Sequence, residues 1–295
     1  MKFIIATRVY NSKSNGCIAL HRLADALNRQ GHTAYLLFFN GHGPNPEWFY
    51  SDKPEFYCQE FSYSYVSPNA FSASAFLEGA TVIYPEIISG NPLNAQMVVR
   101  YFLNGEGIIK QGLKVNAGPK DFILSWSELY HSKPDFVLSY DFIETFDVEA
   151  NSLSEREIDC TYIGKGEKYL KCHVIPGTFE ITRSHPAVKR EYLDLLKKTR
   201  YIYMWDSVTA VYSDAVLCGA LPVMMTYAPF GKAKFDEASQ VSVELPKPDQ
   251  YENPKDLDEA FKAYRVEYIK RGVSLSLNYD SNVRQLTKKL ISHFA

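Results

Sequence analysis

Two aspartates, Asp206 and Asp214, stand with seven residues between them in an otherwise apolar stretch, YMWDSVTAVYSDAVLCGALPVMM, from Tyr203 to Met225. The pattern puts Asp206 where a strand, RYIYMW, ends, and Asp214 about two turns along the helix that follows. In open parallel sheets, ligands bind at the carboxyl ends of the strands. The helix would start near Ser207, Val208 and Thr209, and its first amides carry the partial positive charge that receives a phosphate. One carboxylate on each side of such a helix start suits a ligand with hydroxyls at both ends and phosphates in the middle. A nucleotide-sugar has that form. The plainer alternative is that Asp206 caps the helix and Asp214 is a polar point on its surface. Glu86 invites the same pair of readings. It follows the strand ATVIYP directly, where it could bind or deprotonate an acceptor hydroxyl or cap the next turn; Arg100 and Glu128 are weaker candidates of that kind. Arg183, in ITRSHP ahead of a helix, is a candidate phosphate contact.

Alternating elements must carry these side chains. KFIIATRVY reads as a strand, NSKSNG as a loop, and CIALHRLADALNRQGH as a helix with Leu20, Leu23, Ala24 and Leu27 on one stripe. TAYLLFF is a second strand, and strand, helix, strand implies a parallel sheet. ATVIYPE is a further strand, and NPLNAQMVVRYFLNGEG reads as a helix with Asn91 as its cap and Pro92 at its first position. DFILSW and DFVLSY are two short strands. From Glu144 to Asp159 the text turns acidic and poor in large apolar residues, as an inter-domain linker does. After it come a strand in CTYIGKG, a helix in AVKREYLDLLKKT, the strand RYIYMW, a helix ended by Gly219, and the strand LPVMM. Two helical segments, near Leu257–Arg271 and Asp280–Phe294, close the chain. The expectation is an α/β protein of two Rossmann-like domains, residues 1–150 and 151–295, with parallel sheets facing across a cleft. The last helix would pack back on the first domain.

The aspartate segment resembles the donor-binding signature of GT-B-fold glycosyltransferases, in which a Glu, seven residues and a second Glu run into Ala-x-x-Cys-Gly-x-Pro-Val. Here Asp214 is followed by Ala215, Cys218, Gly219, Pro222 and Val223, with one extra residue between Gly219 and Pro222 and with Asp for both glutamates. The resemblance implies that Asp206 contacts the donor sugar and Asp214 the nucleotide ribose, and the shorter side chains leave the sugar's identity open. SNGCIALHRLADALNRQGH is similar to the superfamily's amino-terminal opening, where Gly16 would let backbone amides approach a ligand closely. His32 is structural in this reading. YIGKGEKY stands where the superfamily often places basic residues toward the donor diphosphate. This makes Lys165 and Lys168 donor-binding candidates, flanked by Gly164 and Gly166, although a Gly-Lys-Gly is also an ordinary solvated turn. The Tyr-Pro-Glu around Glu86 resembles segments of bacterial surface-polysaccharide and lipopolysaccharide sugar transferases. Such enzymes take a sugar from a nucleoside-diphosphate donor, without cofactor or metal, and pass it to a saccharide or lipid-linked saccharide acceptor. The Asp-seven-Asp pattern resembles retaining families more than inverting ones, and that resemblance implies retention of configuration.

Bulk properties narrow the field. A formal net charge of −2 argues against nucleic acid as a partner. Five cysteines without a Cys-x-x-Cys pair fit neither a disulfide framework nor a zinc knuckle, and point to a reducing compartment. The amino terminus has too short an apolar run for a signal peptide, and Asp214 and Pro222 interrupt the best apolar stretch. A cytoplasmic protein is expected, with peripheral membrane contact left open. Two other functions suit two α/β halves. A nicotinamide-dependent dehydrogenase would need Gly-x-Gly-x-x-Gly after the first strand, where TRVYNSKSNG stands instead. A non-catalytic nucleotide- or sugar-binding protein of the periplasmic kind would need a leader.

Overall fold

The computed structural model describes residues 1–64, 77–140, 151–239 and 241–295. The chain divides into two units, Met1–Tyr140 with Leu277–Ala295, and Asp141–Ser276. The expected linker spans Glu144–Asp159, and its residues 144–150 lie outside the described residues.

The first unit is built on a seven-stranded sheet in the order β3-β2-β1-β4-β5-β6-β7. Its strands are β1 (Lys2–Thr7), β2 (Thr33–Asn40), β3 (Glu47–Phe49), β4 (Ala80–Pro85), β5 (Met97–Phe102), β6 (Phe122–Ser125) and β7 (Phe136–Val137). All pairs are parallel except the edge pair β2–β3. Strands covered on both faces need apolar residues at every position rather than alternate ones, and β4 is buried along its whole length. Between β1 and β2 runs helix α1 (Asn15–Arg29), capped by the Ser14 hydroxyl and burying Leu20, Leu23, Ala24 and Leu27 on the stripe read from the sequence.

The segment 91–105 corrects the reading of a helix there. The Asn91 side chain accepts from Ala95 N (3.0 Å) and donates to Ala95 O (2.8 Å), and Asn94 takes a left-handed φ of 52°. That side chain closes a tight turn instead of capping a helix, a competition short amides often win. The residues released beyond it, MVVRYF, then form β5, as their β-branched and aromatic side chains favour. Arg100, central in β5, is 1% exposed and pairs with Asp121 at 2.6 Å. It also donates to Gly90 O and lies 5.0 Å from the Tyr84 ring, so its role is structural. Glu128 is exposed.

The second unit carries a four-stranded, all-parallel sheet in the order β11-β10-β8-β9. These are β8 (Ile158–Tyr162), β9 (Phe179–Ile181), β10 (Thr199–Met204) and β11 (Leu221–Met224). Helices α2 (Lys189–Lys198), α3 (Ala210–Cys218) and α4 (Lys232–Ser239) belong to it. Two buried arginines close the carboxyl end of α3. Arg156 donates to Cys218 O at 3.1 Å and Thr199 O at 2.9 Å, and Arg265 to Val216 O and Leu217 O at 2.8 and 2.6 Å. The last carbonyls of a helix lack partners within it and carry its negative pole, so cations there are doubly suited.

A single helix, α5 (Pro254–Phe294), replaces the two closing segments expected. The intervening GVSLSLNY holds no proline, and one glycine costs a helix only about 1 kcal/mol. The boundary between the units falls within α5, after Ser276. Among the described residues no helix is long and apolar enough to cross a membrane.

Candidate functional site

In the second unit the carboxyl ends of β8, β9 and β10 gather most of the residues singled out in the sequence. Asp206, two residues past β10, is 3% exposed. Its Oδ2 accepts from Lys165 N at 3.0 Å and pairs with Lys165 Nζ at 2.9 Å, and its Oδ1 accepts from Val208 N at 3.0 Å. Lys165 is itself 7% exposed, and its ammonium also donates to Val208 O. Burial pulls the Lys165 ammonium down from its usual range, and the Asp206 charge opposes that shift. The Gly-Lys-Gly turn is therefore locked to the loop before α3 by an internal ion pair, which is not a solvated turn.

The two glycines are what permit that approach. Gly164 has a φ of 55°, and a Cβ there would fall 2.5 Å from Tyr162 Cε1 and 2.6 Å from Asp206 Oδ2. At Gly166 a Cβ would lie 2.2 Å from Trp205 O, a backbone atom that cannot move aside. Gly166→Ala is thus expected to destabilise the protein by about 3 kcal/mol, whereas Gly16→Ala should stay within about 1 kcal/mol. At Gly16 the added carbon meets Leu103 at an ordinary 3.8 Å. Urea unfolding of both variants checks the pair, and equal losses would refute the close-approach account.

Around this lock the remaining candidates take distinct places. Thr209 caps α3, its hydroxyl accepting from Val211 N at 3.3 Å, and it donates to the Tyr162 hydroxyl at 3.5 Å. Ser207 is held by Ala228 O at 2.8 Å, and Val208 is buried. Lys168, in the short turn Gly166–Lys168, and Arg183, just past β9, are both exposed. Burial raises the Tyr162 phenol, a shift countered by the Thr209 hydroxyl and by the Arg183 guanidinium beside it. Charges of Arg183 and Lys168 both reach Lys165, whose ammonium meets Val208 O just ahead of α3. Asp214, half-buried in α3, accepts from the Tyr192 hydroxyl at 3.0 Å. The Trp205 indole N–H is buried with no hydrogen-bond partner among the described residues.

The first unit holds Glu86 and Gly16. Glu86, immediately after β4, is 6% exposed and accepts from Leu103 N at 3.2 Å. Burial pushes its carboxyl up to about 7 against the pull of the backbone amides. Gly16, in the first turn of α1, also lies against Leu103. His32 contacts the terminal amine at 3.3 Å and the Phe3 ring edge-on. A second histidine, His21, is fully buried between Arg8 O (3.0 Å) and Tyr63 Oη (3.1 Å), and burial pulls it down to about 4.

Tyr162, Tyr192 and His21 escaped the sequence reading. Nothing in their spacing separates a tyrosine that holds a carboxylate from the chain's other tyrosines; only position next to the Gly-Lys-Gly could have drawn attention to Tyr162.

No family profile matches the chain, and no curated protein matches it in sequence. Solved structures that resemble it include an alpha-glucosyltransferase in complex with UDP and a 13-mer DNA containing a HMU base, at 12% identity and a TM-score of 0.40, covering 99% of this chain and 95% of that one. MurG of Acinetobacter baumannii is similar at 10% identity and a TM-score of 0.38, covering 98% of this chain and 100% of its own. CalG4, the calicheamicin glycosyltransferase, is similar at 13% identity and a TM-score of 0.38, covering 100% and 95%. At TM-scores of this size the likeness by itself identifies neither a ligand nor a reaction for this chain.

Proposed function

We propose that the protein is a glycosyltransferase that moves a sugar from a nucleoside-diphosphate-sugar to a saccharide or lipid-linked saccharide acceptor. The second unit binds the donor and the first unit binds the acceptor. The observation that carries the reading is the lock of Lys165 and Asp206 at the amino end of α3, with Asp214 in the second turn of the same helix. Cations, helix amides and then a carboxylate follow one another along this segment, an order that supports reading them against the phosphates and ribose of a nucleotide-sugar.

In this reading Lys168, Arg183 and the first turn of α3, at Ser207, Val208 and Thr209, face the diphosphate. Gly164 and Lys165 shape the turn that presents them. Asp214, oriented by Tyr192, takes the ribose hydroxyls. Asp206 serves the sugar end of the donor through the loop it orders, and the buried Trp205 N–H is a donor that a ligand oxygen would satisfy. The bond between the anomeric carbon and the diphosphate oxygen breaks, its electron pair leaving with the diphosphate, and a bond to the acceptor oxygen forms. Glu86 takes the acceptor proton, and Gly16 lines the same edge of the first unit. Side-chain cations and a helix terminus neutralise the leaving group, which makes the reaction independent of metal. A retaining course, which the resemblance to retaining families implies, asks less of a protein base, so the product's anomeric configuration and the size of the Glu86 effect belong together. Synthesis of bacterial surface polysaccharide on the cytoplasmic face is the setting this acceptor class implies.

Asp214→Ala is expected to weaken nucleoside-diphosphate binding about tenfold, the worth of a lost hydrogen bond to a charged group, with the fold intact. Calorimetric titration with a panel of nucleoside diphosphates, nucleotide-sugars and NAD tests this. Binding of NAD alone, or unchanged affinity in the variant, would sink the reading.

A further inference from the structure

Strand β10 lies inside the second unit's sheet, between β8 and β11. All-parallel sheets normally carry cover on both faces. One face of β10 has it: Ile202 and Met204 are buried in a core with Ala215 and Val216 of α3. Tyr201 and Tyr203 alternate to the other face, where Tyr203 stands beside Val223 of β11 and Thr161 of β8. Both tyrosines and Val223 are only half-buried. Tyr201 leans on the edge of the core, whereas Tyr203 is not among the residues packed on it. Among the described residues neither phenol hydroxyl has a hydrogen-bond partner. A bulge brings a polar pair to the same face. Thr199 stands opposite Ile158 and Ile202 opposite Cys160, so β10 holds one residue more than β8 there, an irregularity that re-aims side chains. Arg200 and Tyr201 consequently both meet Asp159. Arg200 Nε and Nη2 donate to its carboxylate at 3.1 and 2.7 Å, and Tyr201 N donates to it at 3.3 Å. The guanidinium lies 4.9 Å from the Tyr201 ring.

On the β9 side this face has a wall. The Thr161 hydroxyl pairs with that of Thr178 at 2.7 Å and accepts from Ile175 N at 3.2 Å, so residues 175–178 cover Thr161 and stop short of the tyrosines. The floor beside that wall combines two aromatic rings with one ion pair, and a saccharide suits it. A sugar ring has a flat C–H surface and a rim of hydroxyls. Aromatic rings take the first, and a phenol tip serves the second. Residues two apart on a strand are about 6.6 Å apart, the scale of neighbouring rings in an oligosaccharide. The guanidinium only donates and the carboxylate only accepts, which together match hydroxyls that do both. Charge argues against other ligands. Asp159 balances Arg200, and Glu180, exposed on β9 opposite Thr161, adds a negative charge. A polyanion such as nucleic acid is repelled by that balance. An apolar protein surface would bury the ion pair without returning its lost hydration.

We propose that Tyr201, Tyr203 and the Arg200–Asp159 pair form a platform that binds a neutral oligosaccharide, separate from the residues assigned to the donor. The platform itself does not depend on the sugar-transfer reading; its use, holding an acceptor or product chain near the enzyme, rests on that reading. The test is calorimetric titration of the full chain with maltopentaose, cellopentaose, chitopentaose, glucose and a heparin pentasaccharide. At least one neutral pentasaccharide is expected to bind about tenfold or more tightly than glucose or the heparin fragment. Tyr203→Ala should weaken it roughly tenfold, while Tyr203→Trp, which keeps a ring, stays within a few-fold of native. Arg200→Lys keeps the charge but loses the fork and should also weaken it about tenfold, so the platform is read even if Tyr203→Ala perturbs the fold. Nucleoside-diphosphate affinity should be unchanged in all three variants. Absence of pentasaccharide binding, equal binding of glucose or the heparin fragment, or full affinity in Arg200→Lys and Tyr203→Ala would overturn the proposal. So would a native dimer in sedimentation that Tyr203→Ala dissolves, since a second copy would then occupy the face. If a pentasaccharide binds through Tyr203 while no nucleotide-sugar is bound or turned over, the platform stands and the transfer reading falls; the reverse pattern sinks the platform alone.

Discussion

Glu86→Gln is expected to stabilise the protein at pH 8, to leave it close to the native protein at pH 5, and to reduce sugar transfer by about 10²- to 10⁴-fold. Burial at 6% exposure holds the Glu86 carboxyl at about 7, well above its unfolded value near 4.5. A raised carboxyl means that the folded state keeps its proton more tightly than the unfolded one. The contribution to stability is therefore complete below about pH 4.5 and is lost as pH rises through 7. The amplitude is on the order of 3 kcal/mol. Glutamine retains a carbonyl to accept from Leu103 N but has no proton to lose, so the variant escapes the loss. His21 works in the opposite sense. Its imidazole, pulled down to about 4 by burial, gives stability that is present above pH 6.5 and lost as pH falls toward 4, with a similar amplitude. Between pH 4.5 and 6.5 the two slopes oppose each other, and in the native protein they largely cancel. Glu86→Gln should expose the His21 slope. Urea unfolding at half-unit pH steps checks this, and an unchanged pH profile would show that Glu86 does not titrate near neutrality. A transfer rate within a few-fold of native would show that the diphosphate, not Glu86, takes the acceptor proton.

The second large effect is at Lys165. Lys165→Met should lower the unfolding free energy by about 3–5 kcal/mol and abolish measurable donor binding, because it leaves the Asp206 carboxylate buried without its counter-charge. Asp206 at 3% exposure would keep only the N–H groups of Lys165 and Val208. Lys165→Met combined with Asp206→Asn removes both charges, and should recover most of the stability, since a whole buried pair is often replaced at little loss. Donor binding should not return, because the amide is a weaker organiser of the loop before α3. Thermal unfolding and nucleotide titration of the single and double variants separate the two roles. If the double variant binds nucleotide like the native protein, the ion pair is only structural.

How much of this was legible in the residues depended on how local the cause was. The α1 stripe, the strands β1, β2, β4, β8, β10 and β11, and the carboxyl-edge position of Asp206 were all readable. Each is settled by apolar periodicity or by residues within one turn. The segment 91–105 misled because Asn91 followed by Pro92 imitates a helix start. The outcome hung on whether the Asn91 side chain reached Ala95, a choice made by the strands on either side of β5. The two closing helices merged because weak helix formers persist when packing supports them. The short β3, β9 and α4 carried too few residues for a period to show.

Sequence alone determined the order of elements and the seven-residue interval that puts Asp206 at a strand end and Asp214 on the following helix. It also determined that glycines must flank Lys165, though not why. Tertiary structure decided what these residues do: that Asp206 faces Lys165 across 41 positions, that Tyr192 holds Asp214, and that Glu86 is buried enough to titrate near 7. The reason is physical. Backbone conformation follows from neighbours a few residues apart. The state of a charge follows from desolvation and from partners that only the closing of long loops brings within hydrogen-bond reach.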